Sequence, residues 1–115
     1  MDEKAIIGIA IVITALVGLI VYYHGKSHSP SKDYIIERCI ELCRDAKIKG
    51  ADLDNGPCLS DNNPDWQIDD WVCDVAHWPR QAIDNNPENQ CQEFRNGNAH
   101  HFVEVNENCE FIRAY

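Results

Sequence analysis

Residues 34–50 (YIIERCIELCRDAKIKG) combine the apolar period of a helix with two of the six cysteines of the chain. Apolar and cysteine side chains recur along this segment at three- and four-residue spacing: Ile36, Cys39, Ile40 and Cys43. That spacing predicts a helix with one buried face. Asp33 has a side chain suited to cap the first turn, and Gly50 is suited to end the helix. We therefore expect one main helix over residues 34–49.

The positions of the cysteines predict disulfide bonds. Cys39 and Cys43 are four residues apart, so both sulfurs leave the helix on one side and should bridge to two different strands or loops. The other four cysteines are spread along the chain: Cys58, Cys73, Cys91 and Cys109. A structural zinc site needs a second close pair, which the sequence lacks. We expect three bridges, with 15 pairings open, in an oxidising compartment.

An uninterrupted apolar run covers residues 5–23. At about 1.5 Å per residue, a helix of this length spans roughly 28 Å, close to the hydrocarbon thickness of a bilayer. Residues 1–23 are therefore predicted to be an uncleaved, single-pass transmembrane anchor. Three small side chains recur every four residues along it and could pack against a partner helix or a second copy of the chain: Ala10, Thr14 and Gly18.

Residues 24–31 (HGKSHSPS) are rich in serine and histidine and have no apolar period, which predicts a short flexible stalk. Residues 32–115 then form one domain. Two signals for its side of the membrane disagree. The excess of Lys and Arg after the anchor favours the cytoplasm, whereas the even number of cysteines favours an extracytoplasmic domain. The charge excess is only two residues, so we expect the domain to lie outside the cytoplasm.

The junction Lys4-Ala5, followed directly by the apolar run, resembles the leader region of archaeal pilins. The resemblance covers about 20 residues. It implies that Met1 to Ala5 is missing from the mature N-terminus and that the chain is a subunit of a pilin-like filament. This filament subunit is the structural alternative to an uncleaved anchor.

The domain is acidic. From residue 24 onward the chain carries 17 acidic and 9 basic side chains, within a whole-chain net charge of −9. Such a surface repels phosphate backbones, so nucleic acid is not expected as a partner. Cations or cationic protein partners suit it better.

Alternating side chains predict a small sheet. In residues 66–76 one face carries Trp71, Cys73 and Val75, and the other carries Asp70, Val72 and Asp74. Pro79 should end this strand. Residues 100–105 and 109–115 are predicted to form a hairpin around the turn 106–108. The expected fold class is α+β, with one main helix packed on a small, mainly antiparallel sheet.

Two further segments connect these elements. Residues 51–65 are dense in Asp, Asn, Gly and Pro, which predicts an ordered loop held by Cys58. Pro87 can open a short helical turn that runs through Cys91 and Phe94 and is closed by Gly97.

A group of carboxylates and imidazoles is the candidate metal site: Asp74, His77, His100, His101 and Glu104. On a strand, His100 and Glu104 project from one face and His101 from the other. The group could bind a divalent ion or perform acid–base chemistry near neutral pH. A metal-binding protein or metal-dependent enzyme using His77, His101 and Glu104 is therefore a second alternative. Solvated histidines and a Glu104 ion pair with Arg80 or Arg95 are the structural explanation of the same residues.

Two weaker patterns complete the set. The near-repeat of residues 61–65 and 84–88 could supply oxygen ligands to calcium, although Asx-Pro sequences are also ordinary turns. Trp66, Trp71 and Trp78 could form an aromatic platform, but a domain of this size needs at least two of them in its core.

We recognise no serine-centred triad, phosphate-binding glycine loop or spaced carboxylate pair in the sequence. The expected function is therefore non-enzymatic: a disulfide-stabilised surface domain that binds a partner or takes part in an envelope assembly. No cofactor is expected beyond the candidate divalent metal.

Overall fold

A computed structural model describes residues 28–115 of the protein. The predicted anchor, its stripe of small residues, the pilin-like junction and the first part of the stalk lie outside these residues. Within 28–115, no helix combines the length and the apolar character that crossing a bilayer requires.

The described chain forms an α+β domain, as predicted. Its regular elements, in chain order, are α1 (Lys32–Ile48), β1 (Trp71–Val75), 3₁₀ turns at Ala82–Asn85 and Pro87–Asn89, α2 (Gln92–Arg95), β2 (His101–Val105) and β3 (Phe111–Ala114). The predicted hairpin corresponds to β2 and β3. The single turn predicted from Pro87 is instead divided into a 3₁₀ turn and α2, because Gln90 and Cys91 adopt extended backbone angles between them.

The cap of α1 is Ser31, and the prediction of Asp33 as the cap is wrong. The backbone N–H of Tyr34 donates to Ser31 Oγ at 3.2 Å. Asp33 lies inside the first turn, where its negative charge favours the positive end of the helix dipole. At the other end Gly50 adopts a left-handed conformation with φ +84°, and its N–H donates to Lys47 O at 3.0 Å. Gly50 ends the helix as predicted.

The sheet is mixed, and the prediction of a mainly antiparallel sheet is wrong. The strand order is β1-β2-β3, with β1 parallel to β2 and β2 antiparallel to β3. Residues 76–100 form the long crossover that a parallel pair requires. Strand β1 is also shorter than expected, because Asp70 adopts a left-handed conformation with φ +69° and interrupts the extended chain before Trp71.

The two faces of the sheet pack differently. The inner face contacts α1 and builds the main core, which includes Ile35, Leu42, Cys73, Val75, Val103 and Val105. The outer face carries a second, smaller cluster in which Val72 and Phe102 pack with Cys58, Cys91 and Ala99. The predicted alternation along β1 is therefore confirmed, but both of its faces are partly covered.

Three disulfides hold these layers together, and all six cysteines take part. They are Cys39–Cys73, Cys43–Cys109 and Cys58–Cys91. As predicted, the two cysteines of α1 bridge to two different places: one to β1 and the other to the turn before β3. The third bridge ties the loop before β1 to the crossover.

Truncation of one core side chain in α1 should destabilise the domain strongly. Ile35 is 2% exposed, whereas Ile48, in the same helix, is 84% exposed. Ile35→Ala should cost about 2–5 kcal/mol, and the matched control Ile48→Ala less than about 0.5 kcal/mol. Urea denaturation of the oxidised chain measures both. Equal losses in the two variants would contradict the position of α1 on the sheet.

Candidate functional site

The outer face of the sheet carries a polar row across all three strands. Asp74 in β1 lies opposite Glu104 in β2, and Glu104 lies opposite Arg113 in β3. Because successive strand residues point to opposite faces, this row belongs to the same face as Val72 and Phe102. Residues of the crossover cover part of it.

A cavity of about 180 Å³ lies between this face and the crossover, and we call it the outer-face cavity. The sheet contributes Val72, Asp74, Phe102, Glu104 and Arg113 to its lining. The crossover contributes Arg80, Gln90, Cys91, Phe94 and Arg95. Carboxyl, guanidinium and aromatic groups therefore meet in one concave site.

Glu104 is the anionic centre of the cavity. It is 8% exposed, and its two carboxylate oxygens accept hydrogen bonds from Nε and Nη2 of Arg113, both at 3.2 Å. Nη1 of Arg80 lies 3.8 Å from the same carboxylate. The hydrogen bonds and charge of Glu104 raise the pKa of Arg113. The paired charges account for the burial of this carboxylate.

Asp74 is the unusual group of the site. Its Oδ1 atom is buried and has no hydrogen-bond partner in the described part of the chain. Burial, reinforced by the negative charge of Glu104, raises the pKa of Asp74 to about 8 against the opposing influence of Arg80. Asp74 therefore holds a proton at neutral pH, next to the carboxyl group of Glu104 that pairs with Arg113.

The lining of the cavity is cationic, although the domain is acidic. With Asp74 neutral, Glu104 is the one anion in the lining, against Arg80, Arg95 and Arg113. The aromatic wall is ordered: the ring centroids of Phe94 and Phe102 are 5.3 Å apart in an edge-to-face arrangement. Arg113 lies over the Phe102 ring at 5.2 Å. The site can hold an anionic group beside an apolar one.

His77, a member of the predicted metal group, is engaged elsewhere. Its Nδ1 lies 2.9 Å from Asp84 Oδ1, and its backbone N–H donates to Asp84 Oδ2 at 3.1 Å. Burial alone would raise the pKa of Asp84, but hydrogen bonds from Gln81 and His77 outweigh it and lower the pKa. The pair fixes the chain where it leaves β1.

His100 and His101 lie together at Asp70, at the start of the parallel pair. The Nδ1 atom of His100 contacts Asp70 Oδ1, and Nε2 of His101 lies 3.6 Å from Oδ2. The hydrogen bond from His100 is the main cause of the lowered pKa of Asp70. The ring of His101 stacks on Trp71 at 4.7 Å.

The five predicted metal ligands are therefore divided among three places. The structure brings Asp74 and Glu104 together in the outer-face cavity, and it brings His100 and His101 together at Asp70. His77 lies at a third place, beside Asp84. His100 precedes β2, which starts at His101, so the predicted strand face shared by His100 and Glu104 does not form. Cys58, Asp74 and Cys91 have potential ligand atoms within 4.8 Å of one another, but the disulfide leaves no thiolate for a metal.

The two weaker patterns have structural roles. In the first near-repeat, the N–H of Asp65 donates to Asn63 Oδ1 at 3.0 Å, which is a local turn. In the second, Asp84 receives the bonds from His77 and Gln81. Trp66 and Trp71 pack against the main core, as expected, while Trp78 is 73% exposed.

Comparisons with known proteins give no relative. No protein family, curated protein or solved structure matches this chain. What defines the molecule is therefore its own structure: a small α+β domain with a mixed three-stranded sheet, three disulfides and the outer-face cavity.

Asp74 should make the stability of the domain dependent on pH. Its folded-state pKa of about 8 lies above the ordinary value of 3.8, so the folded state binds the extra proton between these values and loses stability as the pH rises through them. Asp74→Asn removes this loss. The free energy of unfolding of the variant, relative to that of the wild type, should rise by up to about 1.4 kcal/mol for each pH unit between about pH 5 and pH 8.

Urea denaturation at several pH values measures this difference. Asp69→Asn, the same change at an exposed neighbour, is the matched control and should follow the wild type. A stability difference between Asp74→Asn and wild type that is constant with pH would show that Asp74 does not titrate in this range.

Proposed function

We propose that this protein is a single-pass, membrane-tethered domain outside the cytoplasm that binds a carboxylate-bearing ligand or partner in the outer-face cavity. The observation that carries the proposal is the group of three arginines lining one cavity of an otherwise acidic domain. The membrane tether is supported by the apolar run of residues 5–23, and the compartment by the three disulfides.

A carboxylate suits the hydrogen-bonding capacity of the arginines. Guanidinium groups bind carboxylates through two parallel hydrogen bonds. Arg113 donates two hydrogen bonds to the carboxylate of Glu104. Arg95 instead donates to the neutral side-chain oxygen of Gln90, at 3.0 Å. Arg80 likewise donates to two neutral oxygens, the side-chain oxygen of Asn85 at 3.0 Å and the backbone carbonyl of Asp84 at 3.2 Å. An incoming carboxylate would exchange a neutral partner of Arg95 for a charged one.

The neutral form of Asp74 contributes to this preference. A protonated carboxyl group can donate a hydrogen bond to an anion, whereas an ionised one would repel it. A cationic ligand would instead have to approach past three guanidinium groups. The local field of the cavity therefore opposes the preference that the overall charge of the domain predicts.

The size of the cavity limits the ligand group to about one ring. A cavity of roughly 150 Å³ is sufficient for benzene. The outer-face cavity, at about 180 Å³, can therefore hold a ring or short aliphatic group against Phe94 and Phe102, with the carboxylate at the arginines. Free carboxylic acids and the acidic ends of peptides share this chemistry.

Benzoate is the direct probe of the proposed specificity. Titration of the full-length oxidised chain, followed by NMR shifts, should give a dissociation constant on the order of 1 mM or lower for a ligand of this size. Benzamide has the same shape without the charge, and benzylamine has the opposite charge. Both should bind at least about tenfold more weakly, because each lacks the charge-assisted hydrogen bonds. Preference for benzylamine would contradict an anion site.

The arginine dependence has a matched control. Arg95→Gln removes one cavity cation and should weaken benzoate binding about tenfold, the loss expected for a charge-assisted hydrogen bond. Arg44→Gln makes the same change on the exposed surface of α1 and should leave the affinity unchanged. Equal weakening in both variants would mean that only the net charge of the protein matters.

The membrane orientation can be tested with lysines on the two sides of the predicted anchor. An impermeant amine reagent applied to intact cells should modify the exposed Lys49, and should reach Lys4 only after permeabilisation. Peptide mapping by mass spectrometry reads both sites. Labelling of Lys4 with protection of Lys49 would reverse the orientation. A mature chain that lacks residues 1–5 would support the filament-subunit alternative instead.

A further inference from the structure

The Cys58–Cys91 bridge differs from the other two in its surroundings. The other bridges use four cysteines of the main core that are at most 4% exposed: Cys39, Cys43, Cys73 and Cys109. Cys58 and Cys91 belong to the smaller outer cluster instead. Cys91 is itself only 3% exposed, although it lines the outer-face cavity, whereas its partner Cys58 is half-buried. A reagent can therefore approach this bridge at Cys58 without opening the main core.

The carboxyl group of Asp74 lies beside this bridge. Cys58 forms an isolated β-bridge with Asp74, and a carboxylate oxygen of Asp74 lies within 4.8 Å of both sulfurs. In the disulfide form neither sulfur has a hydrogen to offer, and Asp74 Oδ1 has no hydrogen-bond partner within residues 28–115. Reduction would create two thiols that can donate hydrogen bonds to the Asp74 carboxyl group. The reduced form would therefore place donors beside a buried carboxyl group that has an unpaired oxygen in the oxidised form.

Ser60 supplies a second polar group at the same sulfurs. Its Oγ lies 3.5 Å from Cys58 Sγ and 3.8 Å from Cys91 Sγ. The oxygen already accepts the N–H of Cys73 at 2.9 Å, which leaves the hydroxyl hydrogen free to point toward sulfur. A donor in this position stabilises a developing thiolate.

We propose that Cys58–Cys91 is an exchangeable disulfide that oxidises a dithiol, with Asp74 transferring the protons. This assigns a redox activity to a bridge that otherwise serves only as a staple. The redox activity shares Asp74 and the outer-face cavity with the proposed carboxylate site, but it requires neither the membrane tether nor a bound carboxylate, so it can succeed or fail without them.

The exchange proceeds in two steps. A thiolate of the dithiol, having released its proton to water, attacks Cys58 Sγ. The S–S bond breaks, and its electron pair leaves on Cys91 Sγ, which takes the proton of the Asp74 carboxyl group.

In the second step the other thiol of the substrate gives its proton to the Asp74 carboxylate and attacks the substrate sulfur of the mixed disulfide. Cys58 leaves as a thiolate and takes a proton from water. The substrate has become a disulfide, two electrons have passed to the protein, and Asp74 is again protonated.

The acidity of Asp74 matches this role. The pKa of Asp74, about 8, is close to the ordinary pKa of about 8.5 for a cysteine thiol. Proton transfer between the Asp74 carboxyl group and a thiolate is therefore nearly balanced in either direction. The charged groups that influence Asp74 belong to β2 and the crossover: Glu104, Arg80 and Asp84. Arg95 and Arg113 face the same cavity. Glu104 and Arg113 are paired with each other by two hydrogen bonds.

The order in which the bridges open is the first test. The full-length oxidised chain is exposed to limiting dithiothreitol, quenched with acid, alkylated and mapped by mass spectrometry. Cys58 and Cys91 should be alkylated at least about tenfold faster than the core cysteines, because exchange rates follow access and proton supply. Simultaneous opening of all three bridges, or earlier opening of a core bridge, would overturn the proposal.

The pH profile tests Asp74 itself. In the wild type, the rate of opening of Cys58–Cys91 by the dithiothreitol thiolate should fall as Asp74 loses its proton near pH 8. Asp74→Asn should slow this opening about tenfold near pH 7 and remove that step from the profile, consistent with the usual size of general acid catalysis. Asp69→Asn should behave as the wild type.

The core bridges are the internal reference for this comparison. Their opening requires unfolding of the main core, so it reports any change in global stability caused by Asp74→Asn. Asp74→Asn could slow the opening of Cys58–Cys91 and of the two core bridges by the same factor, or leave the pH dependence of the Cys58–Cys91 opening rate as in the wild type. Either result would show that Asp74 transfers no proton and that Cys58–Cys91 is only a structural disulfide.

Discussion

The pair of bridges from α1 to the two edges of the sheet is the constraint on which the domain depends. Cys39 binds α1 to β1, at one edge, and Cys43 binds it to Cys109, at the turn that leads into β3 at the other. With one long helix and three short strands, the domain buries little apolar area, and covalent links that restrict the unfolded chain contribute about 2–4 kcal/mol each. The two bridges thereby hold both edges of the sheet against α1.

The parallel alignment of β1 and β2 explains where the site lies. Because α1 occupies the inner face, the crossover of residues 76–100 returns over the outer face. Its residues Cys91 and Ala99 pack against that face, and the outer-face cavity lies beside Cys91. The carboxyl groups of Asp74 and Glu104 are therefore largely enclosed, unlike side chains on the open face of a simple antiparallel sheet, whereas the side chain of Arg113 is 55% exposed.

Local patterns were sufficient for some elements. The period of Ile36, Cys39 and Cys43 predicts α1 because each turn of a helix is decided by neighbouring residues. Likewise, the hairpin follows from two strand-forming segments around a short turn. Even the choice of Asp33 as the cap fails by only two residues, since Ser31 and Asp33 have equally suitable side chains and only the path of the preceding chain selects between them.

The relation between distant segments was not predictable in the same way. The sequence indicates Asp74 and Glu104 as candidates, but their adjacency follows from the parallel register, which no local pattern encodes. A hairpin predicts that Glu104 faces a residue of β3. The bulge after Glu104 changes the register by one residue, so the sequence does not show that this residue is Arg113. Cys58, Ser60 and Asp74 meet because the segment before β1 pairs with its outer edge. That contact depends on the whole domain.

The long loop closed by Cys43–Cys109 has a consequence for survival among proteases. The two cysteines are 66 residues apart, and the loop contains most of the domain. A single cut at any peptide bond inside this loop leaves both new ends attached through the bridge to the same helix. Hydrolysis of the backbone and release of a fragment are therefore separate events. After a cut between Cys91 and Cys109, the Cys43–Cys109 bridge alone keeps the last part of the chain connected to α1, whereas earlier cuts are also spanned by one or both of the other bridges.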